Sequence, residues 1–149
     1  MNTIEFKIVK NHDQEWSGEY NAVRIFIDNK DLIDILRDFE LEFAKKENNE
    51  DIAGAYGGMS PESIYENLTS KPNAENNKTV ILECDCACSG CWDLLVEIIE
   101  TEDAIIWTNF ENIHRGPKSH NFWDYSSFKN FSFDKKAYYI ELEKLKKLS

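Results

Sequence analysis

Four cysteines fall in one short segment, Cys84-Asp85-Cys86-Ala87-Cys88-Ser89-Gly90-Cys91, and the rest of the chain has none. Thiolates are soft ligands, and zinc takes four of them, or three with one histidine, in a tetrahedron with Zn–S bonds of about 2.3 Å. Side chains two residues apart on a straight strand are separated by roughly 6.6 Å, so a ligand set drawn from this segment needs a bend. Gly90 is the residue suited to that reversal, and Cys84, Cys86 and Cys91 with His114 make up the candidate zinc site. The same cysteines also read as packed, reduced thiols, because a free cysteine behaves as a small hydrophobe. Cys88-Ser89-Gly90-Cys91 is in addition a C-x-x-C sequence, a motif that supports disulfide exchange where it opens a helix after a parallel strand. The apolar run after Cys91 reads as a strand, which argues against that use. A cysteine nucleophile with His114 as its base is the corresponding hydrolytic reading.

Charge points to a different chemistry. With 28 Asp and Glu against 17 Lys and Arg, the formal net charge is −11. A field of that sign repels phosphate backbones and anionic membrane surfaces, so neither nucleic acid nor membrane is an expected partner. A basic protein surface is the complementary one. The chain contains no P-loop, no G-x-G-x-x-G, no H-E-x-x-H and no G-x-S-x-G, motifs that would name a reaction. The expected function is therefore a small acidic protein-binding module, in the manner of an immunity-type inhibitor that occupies the cationic cleft of a basic bacterial toxin or nuclease. Candidate contacts are Asp31, Asp34, Asp38 and Glu40 on the first helix, with Glu47, Glu50 and Asp51 in the loop that follows. The alternative is a metal- or thiol-dependent enzyme centred on the cysteine cluster. Glu111, His114 and Arg115 form a further polar group where a strand becomes a loop, readable as an ion-pair cluster, a metal site or an acid/base pair; Trp123 and Tyr125 read as core aromatics with Asp124 as a partner for Arg115, or as an exposed contact patch.

The elements that must position these residues are legible from periodicity. Thr3–Val9 and Ala22–Asp28 read as two strands of a hairpin, with Val23, Ile25 and Ile27 on one face and the polar stretch Asn11–Asn21 between them. Asp28-Asn29 is expected to start the first helix, whose apolar stripe includes Leu32, Leu36 and Phe39. Residues 45–78 read as a long irregular connection containing a less polar island, Ile52–Met59, and a short helix, Glu62–Leu68, capped by Ser60 with Pro61 at its first position. Thr79–Cys84 is a β-branched strand, and Leu94–Glu100 with Ala104–Phe110 a hairpin. Asp134 caps a final helix carrying Tyr138, Leu142, Leu145 and Leu148 at helical spacing. The length of 149 residues suits one domain, of α+β class: an antiparallel sheet of about four or five strands with two main helices against it. The N-terminus lacks the apolar run of a signal peptide and no stretch is long enough to span a bilayer, so a cytoplasmic protein is expected.

Taken together, Ala53-Gly54-Ala55-Tyr56-Gly57-Gly58, Cys84-Asp85-Cys86 through Gly90-Cys91-Trp92, Trp107-Thr108-Asn109-Phe110-Glu111 with His114-Arg115, Trp123-Asp124-Tyr125 and Phe131-Ser132-Phe133-Asp134 resemble a family of small uncharacterised bacterial proteins. Its pattern is approximately A-G-x-Y-x-G, C-x-C-G-x-x-G-C-W-P, W-x-D-F-E-x-x-H-R, W-x-Y and F-x-F-D. The resemblance covers most of the chain after Asp28 and implies no activity. Ala87 stands where the pattern has Gly, Asp93 where it has Pro and Asn109 where it has Asp; Cys88 matches no cysteine of the pattern, whereas Cys84, Cys86, Cys91 and His114 fit it.

Overall fold

The computed structural model describes residues 1–13, 18–85 and 91–148, with the backbone alone at 11–13 and 18–20. It is an α+β fold built from strands β1 (Ile4–Asp13), β2 (Gly18–Ile27), β3 (Lys30–Asp31), β4 (Tyr56–Gly57), β5 (Lys78–Cys84), β6 (Leu94–Glu100), β7 (Ala104–Asn112) and β8 (Phe131–Asp134), with helices α1 (Leu32–Lys46), α2 (Pro61–Thr69) and α3 (Lys135–Leu148). The expected hairpins form: β1 pairs antiparallel with β2 in the register Ile4 to Ile27, and β6 with β7. The first hairpin runs further than expected, since both strands continue into the polar stretch between them.

Antiparallel pairing organises two sheets, β1-β2-β3 and β4-β5-β6-β7-β8. Two seams join them. At one, Val23 N donates to Met59 O at 2.7 Å; at the other, Asn2 N donates to Ser132 O at 2.7 Å and Asn2 Oδ1 accepts from Ser132 N at 2.9 Å. Hydrogen-bond connectivity thus runs around a ring, with Val23, Ile25, Ile27, Leu82, Leu94, Trp107 and Phe133 among the buried residues of one core. The first seam depends on Gly58, because a Cβ there would lie 2.1 Å from the Val23 carbonyl oxygen. The island Ile52–Met59 therefore docks on the core as a structural strap.

Local signals explain most element boundaries. Ser60 caps α2 by accepting from Ser63 N, with Pro61 at the first helical position, and Asp134 Oδ2 accepts from Ala137 N at the start of α3. The start of α1 differs from expectation. Asp28 and Asn29 both have positive φ, 52° and 66°, the conformation of a type I′ hairpin turn, and they join β2 to β3. The cap falls to Asp31, whose Oδ1 accepts from Ile33 N at 2.9 Å. A third helix, the short α2, stands beside the two main ones. No helix among the described residues is long and apolar enough to cross a membrane.

Candidate functional site

Helix α1 separates the acidic residues into two sets. Ile33, Leu36, Glu40, Ala44 and Glu47 recur at spacings of three and four, the period of one helical face, and that face turns inward. Glu40 is 0% exposed. Its Oε1 accepts from Gly54 N at 2.9 Å, while Oε2 accepts from Tyr56 Oη at 2.5 Å and from Tyr125 Oη. Asn112 Nδ2 completes the network by donating to Tyr56 Oη at 2.9 Å. Burial pushes the Glu40 carboxyl up to about 6 against these donated bonds, and raises both tyrosines as well. Two turns on, Glu47 takes a fork of hydrogen bonds from Arg115, Nε to Oε2 at 3.1 Å and Nη2 to Oε1 at 2.9 Å, and a third from Trp123 Nε1 at 2.6 Å. Its burial favours the neutral acid, but the bonds from Arg115 and Trp123 and the Arg115 charge outweigh that and hold the carboxyl below its usual range.

Three of the expected partner contacts are thus corrected in position. Asp31 caps α1 and pairs with Arg24 Nη2 at 2.7 Å, Glu40 is sealed in the core, and Glu47 is spent on Arg115 and Trp123. The physical reason is the same for each: a carboxylate removed from water needs donated hydrogen bonds or a cation, and here groups of the fold itself supply them. Asp34, Asp38, Glu50 and Asp51 are exposed as expected. Arg115 accordingly pairs with Glu47 rather than Asp124, and Glu111 pairs with Lys78 at 2.6 Å. The stripe of spacing that placed Glu40 and Glu47 with Ile33 and Leu36 was the available signal for their inward orientation.

The bonds that Tyr125 and Trp123 donate to Glu40 and Glu47 fasten residues 121–130, a segment without helix or strand, onto α1. Side chains alternate along it: Trp123 and Tyr125 point in and are buried, whereas Phe122, Asp124 and Ser126 are exposed. On one side of this segment lies a groove of about 960 Å³ between α1 and the β2–β3 turn. Phe26, Ile35, Phe39, Phe128 and Phe131 give it an apolar lining, and Asp28, Asp31, Asp34 and Asp38 contribute carboxylates against the ammonium groups of Lys30 and Lys129. Asp28 is held ionised to unusually low pH by the Thr3 backbone N–H and the Asn2 amide that donate to it. Asp38 has no ion-pair partner among the described residues, and Asp34 reaches Arg37 only at 3.8 Å. Asp28, Phe128, Phe131 and Lys129 carry no sequence signal as site residues; their common location arises from a turn and from a loop and the start of β8, distant in sequence.

Of the cysteine segment, Cys84 and Cys91 are described, one closing β5 and the other lying shortly before β6. Cys84 is buried at the end of β5, with Asp85 Oδ1 3.7 Å from its Sγ, while Cys91 is exposed before β6. Cys86, and Cys88 of the C-x-x-C, lie outside the described residues. His114 stacks on Trp92 with ring centroids 6.3 Å apart, and Arg115 lies 4.9 Å over the same Trp92 ring. Nearby, burial and the negative charge of Asp93 raise the Glu83 carboxyl. Among the described residues no group of three or more His, Cys, Asp and Glu is arranged to hold a metal ion.

Comparisons with protein-family models, with curated proteins and with solved structures returned no match. The motif resemblance therefore assigns no family, and the candidate function rests on the geometry of the groove.

Proposed function

We propose that this protein is a binding module for a basic protein partner, engaged through the groove between α1 and residues 127–131. The supporting observation is the pairing of an apolar lining with exposed carboxylates at Asp28, Asp34 and Asp38 in a groove of about 960 Å³. Apolar lining supplies the desolvation that holds a complex together, and the carboxylates select a cationic segment over an anionic one. The net charge of −11 adds a long-range field that steers such a partner and makes association sensitive to salt. An inhibitor that blocks the cationic cleft of a basic toxin or nuclease uses this physics, and an immunity-type role is the specific form of the proposal.

The test is affinity capture from host lysate at low and moderate salt, followed by stopped-flow association of the captured basic protein with the wild type and with an Asp34→Lys, Asp38→Lys double variant. Both positions are exposed, so melting temperature stays within the range of surface substitutions. The expected result is a fall in association rate of about tenfold or more at low salt that narrows as salt rises. A partner whose rate is the same with both proteins does not use this groove, and the proposal then fails.

A further inference from the structure

We infer that the interface continues along the segment 121–130 and that a hollow lined by its residues 122–126 receives an arginine side chain of the same basic partner. This rests on the proposed function for the partner's identity, and on separate residues for the site. The hollow measures about 320 Å³ and is lined by Lys78, Glu97, Asn109, Glu111, Phe122 and Asp124, among others. Phe122 is 45% exposed, in a chain that buries most of its aromatic rings. An aromatic ring left out of the core at the lip of a hollow is a natural anchor for a partner.

The carboxylates around it are not equivalent. Lys78 Nζ neutralises Glu111 at 2.6 Å, whereas Glu97 and Asp124 have no ion-pair partner among the described residues. Asp124 accepts from Ser126 N at 2.9 Å, a bond that holds its carboxyl below the usual range and so ionised. Glu97 is positioned from β7. There one extra residue is inserted opposite β6, where Leu95 faces Glu111 but Glu97 faces Thr108, and Asn109 takes a φ of 52°. The bulge turns Phe110 into the core and Asn109 outward, where its Nδ2 donates to Glu97 Oε1 at 2.7 Å. A guanidinium suits this combination, since its planar face lies against an aromatic ring while its N–H fork reaches carboxylates. The segment carrying Phe122 and Asp124 is also fixed in advance, because Trp123 and Tyr125 between and beside them are tied to Glu47 and Glu40. That fixation lowers the ordering cost of binding.

The experiment follows backbone amide resonances of the whole protein during titration with N-acetyl-arginine methylamide, with N-acetyl-alanine methylamide as the uncharged control. Saturable shifts confined to residues 97, 109–111 and 122–126, seen with the arginine probe alone and weakened about threefold or more by Phe122→Ala, are the expected result. Phe122→Leu, which keeps apolar volume without the ring, weakens the probe to a similar degree. No saturable shift there, or shifts indifferent to both substitutions, overturns the inference. Failure of the groove reading is distinguishable from failure of this one. If Phe122→Ala leaves partner binding unchanged while the Asp34→Lys, Asp38→Lys variant loses it, the groove stands and the arginine site falls.

Discussion

Replacing Glu40 by Gln tests the buried network that fixes residues 121–130. The Glu40 carboxyl rises from 4.5 to about 6 on folding because burial penalises its charge, a shift of about 1.5 units, or about 2 kcal/mol at 1.36 kcal/mol per unit. The folded state then binds the proton more tightly than the unfolded chain. The contribution is fully present below pH 4.5 and is lost as pH rises through about 6. Gln has the same shape and no titration, so the stability of wild type relative to Glu40→Gln should fall by about 2 kcal/mol between pH 4 and pH 7. Urea unfolding followed by tryptophan fluorescence at those two pH values measures both proteins. Other titrating groups cancel in the difference, provided the variant keeps the fold; amide spectra check that. Wild-type and variant stabilities that run parallel from pH 4 to pH 7 would refute the reasoning. They would mean that Glu40 is as well solvated folded as unfolded.

Three further outcomes follow from single contacts. Gly58→Ala places a methyl 2.1 Å from Val23 O, a side chain against the backbone at the seam of two sheets, and should cost about 3 kcal/mol or prevent folding; thermal unfolding measures the loss. Trp123→Phe keeps the ring against Phe43 but removes the N–H that donates to Glu47 at 2.6 Å, with an expected cost of about 1–3 kcal/mol by chemical denaturation. Because Glu47 then retains Arg115, double substitution with Arg115→Met should cost more than either change alone, and equal losses would show that the Trp123 bond contributes nothing separate. Under native conditions iodoacetamide should label exposed Cys91 well before buried Cys84, as peptide mapping by mass spectrometry would show; Cys84 labelling at the same rate would contradict its burial.

Much of the scaffold was present in local pattern. The β-branched runs at Thr79–Cys84 and Leu94–Glu100 became β5 and β6, Ser60-Pro61 started α2, and Asp134 capped α3, because caps and period-two alternation act between residues a few positions apart. The helix start at Asp28-Asn29 was misplaced for an equally local reason. The same two residue types that cap helices also tolerate positive φ, and the pairing of β3 with β2 selected the turn.

The candidate site depended on distance. Composition alone established that the chain is strongly acidic, but a carboxylate reads the same in sequence whether water or a tyrosine solvates it. Tertiary structure divided α1's acids, sending Glu40 to Tyr56 and Tyr125 and Glu47 to Arg115 and Trp123, while Asp34 and Asp38 stayed at the groove. Those partners lie between 16 and 85 positions away. Only packing could bring their donors within hydrogen-bond reach, and that reach decides whether an acid holds the fold together or stays open to solvent.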